Sequence, residues 1–127
     1  MKFISAEEFL KQDEDVQRVF ADYFEHKEML FEDGSIYFGP FDYLYTTPLL
    51  TEGDLREFIE YKTGGIETIE HYIGIGEYDI KTLPLVDGIY DNDIYEDLGD
   101  DLLQAYWKIA IEIAKCQTSV KGYKNRW

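Results

Sequence analysis

The plainest pattern of apolar and polar positions lies in residues 100–116, DDLLQAYWKIAIEIAKC. At a helical period Gln104, Lys108, Glu112 and Lys115 fall on one narrow strip, while Leu102, Leu103, Ala105, Tyr106, Trp107, Ile109, Ala110, Ile113 and Ala114 cover most of the remaining circumference. A helix this apolar has to be enclosed by other elements. Its direction is also specified, because Asp100 and Asp101 stand where the helix dipole is positive and Lys115 where it is negative. Tyr106 and Trp107 are expected to be buried, and Cys116 reads as a core or core-edge thiol.

Upstream, Ser5 and Glu8 have the spacing of a capping box, which predicts a short helix through Leu10 with Phe9 and Leu10 turned inward. Asp13 is placed to cap a second helix over 13–25, where Val16, Val19, Phe20, Tyr23 and Phe24 recur at helical spacing. The period then shortens. Met29, Leu30 and Phe31 precede Asp33-Gly34 and Ile36, Tyr37 and Phe38 follow it, the pattern of a β-hairpin. Phe41, Tyr43 and Tyr45 predict a third short strand that Pro48 ends. Thr51 and Asp54 cap a helix over 52–62, closed by Gly64-Gly65. Ile66, Ile69 and Tyr72 on one side of Gly74 and Gly76, with Tyr78, Ile80 and Leu83 on the other, predict a second hairpin. Residues 84–101 read as a loop. The expected fold is α+β: an antiparallel sheet of about four to five strands packed against the long C-terminal helix, with two further helices at its flank. Residues 1–118 form a single domain in this reading, and 119–127 a basic, flexible tail holding Lys121, Lys124 and Arg126.

Charge changes the picture next. The 127 residues hold 27 Asp and Glu against 12 Lys and Arg, a formal charge of −15, which disfavours direct contact with nucleic-acid phosphates or anionic membranes. With 17% aromatic residues at periodic positions, the acidity belongs to the surface of a folded protein rather than to a disordered chain. One cysteine allows no intramolecular disulfide. MKFISAEEFL lacks a leader pattern, and no apolar run approaches the roughly 20 residues that span a bilayer, so a cytoplasmic protein is expected.

The acid density peaks in residues 84–101. Asp91 and Asp93 occupy the first and third positions of a possible calcium loop, but Tyr95 and Glu96 stand at positions five and six and Leu102 at twelve, which breaks the pattern. One Cys and two His without ligand spacing exclude a zinc motif, so neither a metal nor a cofactor is assigned. Ser5, Ser35 and Ser119 lack a nucleophile elbow, His71 has no nucleophile motif to serve, and Gly74-Ile75-Gly76 lacks the third glycine and following helix of a dinucleotide fingerprint. The expectation is a protein that is not an enzyme. Its candidate partner-binding residues are Asp87, Tyr90, Asp91, Asp93, Tyr95, Glu96 and Asp97, where carboxylates punctuated by tyrosines present negative charge at spacings near those of nucleic-acid phosphates. The same acids, read as solubilising charge alone, explain the composition equally well.

Three segments carry a resemblance: ISAEEFLKQDEDVQRVF (4–20), PLLTEGDLREFIEYKTGG (48–65) and DDLLQAYWKIAIEIAK (100–115). They resemble segments of small accessory proteins of Firmicutes phages and prophages. The resemblance falls mainly on the helices, covers a little under half of the chain, and brings no catalytic motif. It implies an inhibitor of a bacterial defence system, of anti-CRISPR or anti-restriction type, acting in the bacterial host cell. Such a protein would use its acidic surface as a DNA mimic, to block the basic nucleic-acid-binding site of a defence protein. Two other classes stay open. Sequestration of a small signalling nucleotide needs cations, and between Lys27 and Lys108 there are only Arg56, Lys62 and Lys81; a small hydrolase needs paired carboxylates in a cleft. A homodimer is compatible with so aromatic a surface.

Overall fold

The protein was described from a computed structural model, which covers residues 2–24, 27–31, 36–39, 46–72, 74, 76–83 and 93–124, with backbone alone for 27, 31, 37–39, 46, 93 and 117–124. The chain divides into two compact units, one of Met1–Thr51 with Ala114–Trp127 and the other of Glu52–Ile113.

In the first unit, α1 (Ala6–Leu10) starts at Ser5, whose hydroxyl accepts the Glu8 N–H at 3.1 Å, as the capping-box spacing predicts. Phe9 is buried, but Leu10 is exposed, contrary to expectation: a helix of five residues has one contact face, and the residue after Phe9 turns off it. Helix α2 (Glu14–Tyr23) buries Val16, Phe20 and Ala21, and Phe20 meets Phe9 with ring centroids 6.2 Å apart. Asp13 takes the N-cap position, yet its carboxylate makes no capping bond; only its backbone carbonyl is used, by Gln17 N–H at 2.9 Å. Strands β1 (Lys27–Phe31) and β2 (Ile36–Gly39) form the predicted hairpin, pairing Leu30 with Ile36 and Met29 with Tyr37. The turn expected at Asp33-Gly34 and the strand expected over 41–45 lie outside the described residues.

The third strand of this sheet is β3 (Thr46–Pro48), antiparallel to β1 in the order β2-β1-β3. Pro48 therefore belongs to a strand, opposite Met29, rather than merely ending one. Proline is tolerated there because β3 is an edge, where a missing N–H costs no ladder bond. Beyond it, Leu49 N–H donates to Glu28 O at 3.0 Å and Ile4 N–H to Leu50 O at 2.9 Å, which draws the N-terminal segment alongside the sheet and buries Ile4, Leu49 and Leu50.

The second unit opens with α3 (Glu52–Lys62), at the bounds its caps predict, burying Leu55, Phe58 and Ile59. Thr63 closes it: its hydroxyl donates to Ile59 O at 2.7 Å and accepts Gly65 N–H at 3.0 Å. Gly65 follows at φ +125°, a conformation L side chains rarely adopt. Strands β4 (Ile66–Tyr72) and β5 (Glu77–Thr82) are the second predicted hairpin, with a bulge between Ile66 and Thr68. Residues 84–101 are not all loop, for β6 (Asp93–Tyr95) pairs antiparallel with β5 in the order β4-β5-β6. Three residues are too short to show a period, but Ile94 and Tyr95 are the residue types that favour a strand.

Helix α4 (Leu102–Lys124) follows. Asp101 is its cap, accepting Leu103 N–H at 2.9 Å and Gln104 N–H at 3.4 Å. Leu103, Ala105, Tyr106, Trp107, Ile109, Ala110, Ile113 and Ala114 are buried, and Lys108, Glu112 and Lys115 exposed, as the strip predicts. Cys116 is exposed, which corrects its reading as a core thiol: four residues after Glu112, it lands on the polar strip.

The α+β class thus holds, but the single larger sheet is replaced by two three-stranded antiparallel sheets, one in each unit, each with fewer strands than expected. Among the described residues no helix is long and apolar enough to cross a membrane.

Candidate binding surface

The register of β4-β5-β6 sorts its side chains onto two faces, because residues directly opposite in an antiparallel ladder point the same way. Ile69 pairs with Ile80 and Ile80 with Tyr95, so these share a face with His71 and Tyr78. Ile80 is fully buried and Tyr78 and Tyr95 half-buried, which makes this the inward face. Thr68 pairs with Lys81 and Lys81 with Ile94, Glu70 with Asp79, and Tyr72 with Glu77. This second face is open, with Ile94 62% and Tyr72 44% exposed.

The open face is acidic. Glu70 and Asp79 are directly opposite, about 4.5–5.5 Å apart between Cβ atoms by the usual strand geometry, and Glu77, opposite Tyr72, lies on the diagonal from Glu70 at about 7–8 Å. After β6 the chain brings up Asp97 in a left-handed conformation, φ +56°, whose N–H donates to Asp79 Oδ1 at 3.2 Å. A hydrogen bond with Asp97 holds the Glu77 carboxyl above the usual carboxylate range, and partial burial and the charges of Asp97 and Asp79 add to this while Lys108 opposes it. Tyr72 donates to Glu70 Oε2 at 2.5 Å; that bond, then the charges of Glu70, Asp79 and Glu96, raise its hydroxyl above the usual phenol value. Lys81, the cation of this face, is engaged by Glu67 at 3.3 Å. The result is a field of one sign around two exposed apolar side chains.

The rim is tied down from behind. Tyr78 N–H donates to Gly99 O at 2.9 Å and Leu98 N–H to Tyr78 O at 3.1 Å, which continues the β5 pairing past β6 and buries Leu98. Lys108 of α4 donates to Leu98 O at 3.1 Å. His71 Nε2 lies 2.8 Å from Asp100 Oδ1, and the imidazole stacks on Tyr78 with centroids 4.4 Å apart. His71 and Asp100 thereby join the hairpin to the residues that start α4, a positioning contact between groups 29 residues apart.

Of the residues singled out in the sequence, Glu96 and Asp97 are exposed at this rim. Tyr95 lies on the inward face, Asp93 contributes its backbone to β6, and Asp87, Tyr90 and Asp91 lie outside the described residues. Glu70, Tyr72, Glu77, Asp79 and Ile94 were missed. A signal for four of them existed: Glu70 and Tyr72, and Glu77 and Asp79, are spaced by two on either arm of a hairpin, which places all four on one face once the turn is set at Gly74–Gly76.

A second polar feature is internal to this unit. Tyr106, 1% exposed, makes no hydrogen bond of good geometry through its hydroxyl among the described residues. Burial raises the hydroxyl above the usual phenol value. Arg56, whose Nε donates to Glu60 at 2.8 Å, acts on it in the opposite sense, first by charge and then by a poorly aligned side-chain hydrogen bond. Among the described residues no group of three His, Cys, Asp or Glu is placed to hold a metal ion. The chain matches no protein-family model, no curated protein and no solved structure.

Proposed function

We propose that this protein is a non-enzymatic inhibitor that binds a basic, nucleic-acid-binding surface of a bacterial defence protein through the open face of β4-β5-β6. The observation that carries this reading is the gathering of Glu70, Glu77, Asp79 and Asp97 on one face by the β4–β5 register and the Asp97–Asp79 hydrogen bond, with Asp97 and Asp79 raising the Glu77 carboxyl. Charge that only solubilises has no need of such concentration and is better spread, since crowded like charges oppose folding. Exposed Tyr72 and Ile94 add contact area that solubility does not explain. A protein carrying a formal −15 would approach a basic groove quickly and be repelled by nucleic acid itself. The resemblance to phage accessory proteins supports the choice of a defence protein as the target.

The test is the plating of a targeted phage on bacteria that carry a defined restriction or CRISPR nuclease and express this protein. Expression should restore plaques, and the combined Glu70→Gln, Asp79→Asn and Glu96→Gln variant should lose that effect while melting no lower than the parent. The affinity of the parent for the captured nuclease should fall with added salt, as screened attraction requires. Restoration that is indifferent to the neutralised face, or binding that is indifferent to salt, would overturn the reading.

A further inference from the structure

Strand β4 is the longest strand of the chain's described sheets, and it is paired along one side only, to β5. Residues 68–72 are exposed, and among the described residues no strand pairs along the outer side of β4. Such an edge presents a row of N–H and C=O groups to any extended chain that reaches it, and folded proteins usually close it off. Here no described strand covers the edge, and its charges are the carboxylates of Glu67 and Glu70, which turn away an acidic chain but not a basic one. IETIEHY holds no proline and no lysine, and its bulge lies at Ile66/Thr68, which leaves residues 68–72 in regular register.

We infer that the free edge of β4 is a strand-addition site for an extended polypeptide segment that carries Lys or Arg at alternate positions. This rests on the reading of the open face as a partner-binding surface and adds a backbone anchor to it. A strand laid against β4 would alternate between the two faces. Positions beside Glu70 would enter the field of Glu70, Asp79 and Glu77, where a cation is favoured, and intervening positions would lie beside Ile69, where an apolar side chain is favoured. Main-chain hydrogen bonds would supply affinity and the acidic face the choice of partner.

Charge also decides against a second copy as the occupant. An antiparallel self-pair centred on Ile69 would set Glu70 opposite Thr68 and His71 opposite Glu67, an acceptable register. It would nonetheless bring together two chains with a formal −15 each, whereas a basic segment is drawn to the same edge.

The probe is a blocked synthetic peptide of about ten residues, a usual strand length, alternating lysine and valine. A second peptide has the same sequence with alternate backbone nitrogens methylated, which removes ladder donors and keeps the charge. Binding is read by NMR titration and by amide exchange on the full chain. The first peptide should slow exchange at alternate amides of β4, and the methylated one should bind at least about tenfold more weakly, the effect of losing a few backbone bonds. Glu70→Lys, which leaves the core untouched and places a repelling charge on the edge, should weaken the first peptide comparably. Equal affinity of the two peptides would overturn the strand-addition site while leaving the acidic face as a partner surface. No binding of either peptide would overturn it as well, and so would concentration-dependent self-association that protects β4 without peptide. Conversely, edge binding of the peptide together with phage plating that ignores the neutralised face would sink the proposed function and leave the strand-addition site standing.

Discussion

Tyr106→Phe removes one hydroxyl from the inward side of α4 and leaves the ring, its volume and its apolar burial in place. A buried hydroxyl without a partner costs about 1–3 kcal/mol, so its removal should be stabilising by an amount of that order. Against this stands the attraction of Arg56 for the oxygen, by charge and by a hydrogen bond too poorly aligned to satisfy the hydroxyl. That attraction is discounted heavily, because the Arg56 side chain is 51% exposed and already bonded to Glu60, and partly solvated charges act through a high effective dielectric. The net expectation is a gain of about 1 kcal/mol, or about 4 °C in melting temperature for a domain of this size. The assay is urea denaturation of parent and variant with the slope of the transition compared, so that a change in midpoint is read as a change in stability. A loss of about 1 kcal/mol would refute the reasoning, since it would mean that the hydroxyl is satisfied and contributes a normal hydrogen bond. Arg56→Met, made alone and together with Tyr106→Phe, then identifies the partner: additivity is expected if the hydroxyl is an orphan, and a coupling of about 1 kcal/mol if Arg56 serves it.

Leu103→Ala, in the first turn of α4, should cost about 2–5 kcal/mol in the same denaturation assay because the side chain is buried; a variant as stable as the parent would contradict the enclosure of this helix. Glu77→Gln tests the crowded carboxylates through pH. The folded state holds the Glu77 proton above the usual carboxylate range, so the stability tied to that proton is complete below the unfolded carboxylate value and is lost as pH rises through the raised one. Melting temperatures of parent and variant should therefore nearly coincide in acid and diverge above that window, the variant melting higher at neutral pH; a gap that is constant with pH would remove the coupling to Asp97.

What the sequence determined by itself was whatever depends on neighbours within a turn or a tight hairpin. The buried and exposed positions of α4, the bounds of α3, the Ser5 cap and both hairpins rest on contacts three or four residues apart, or between strands that follow one another closely in the chain, and local spacing encodes these directly. Even the misplaced Cys116 obeys the same spacing, since it follows Gln104, Lys108 and Glu112 at intervals of four. The tertiary structure decided the rest. Nothing in Asp93, Ile94 and Tyr95 announces that they pair with β5, nothing in Thr46 to Pro48 that they return to β1, and nothing in Asp100 that its carboxylate meets His71. The candidate surface moved for the same reason. Sequence density pointed to residues 87–97, whereas the face that gathers Glu70, Tyr72, Glu77, Asp79 and Ile94 exists only once strand order and register are set. Charge density along a chain is a one-dimensional quantity, but a binding face is made by residues brought side by side, and hydrogen-bonded register between distant strands is what brings them there.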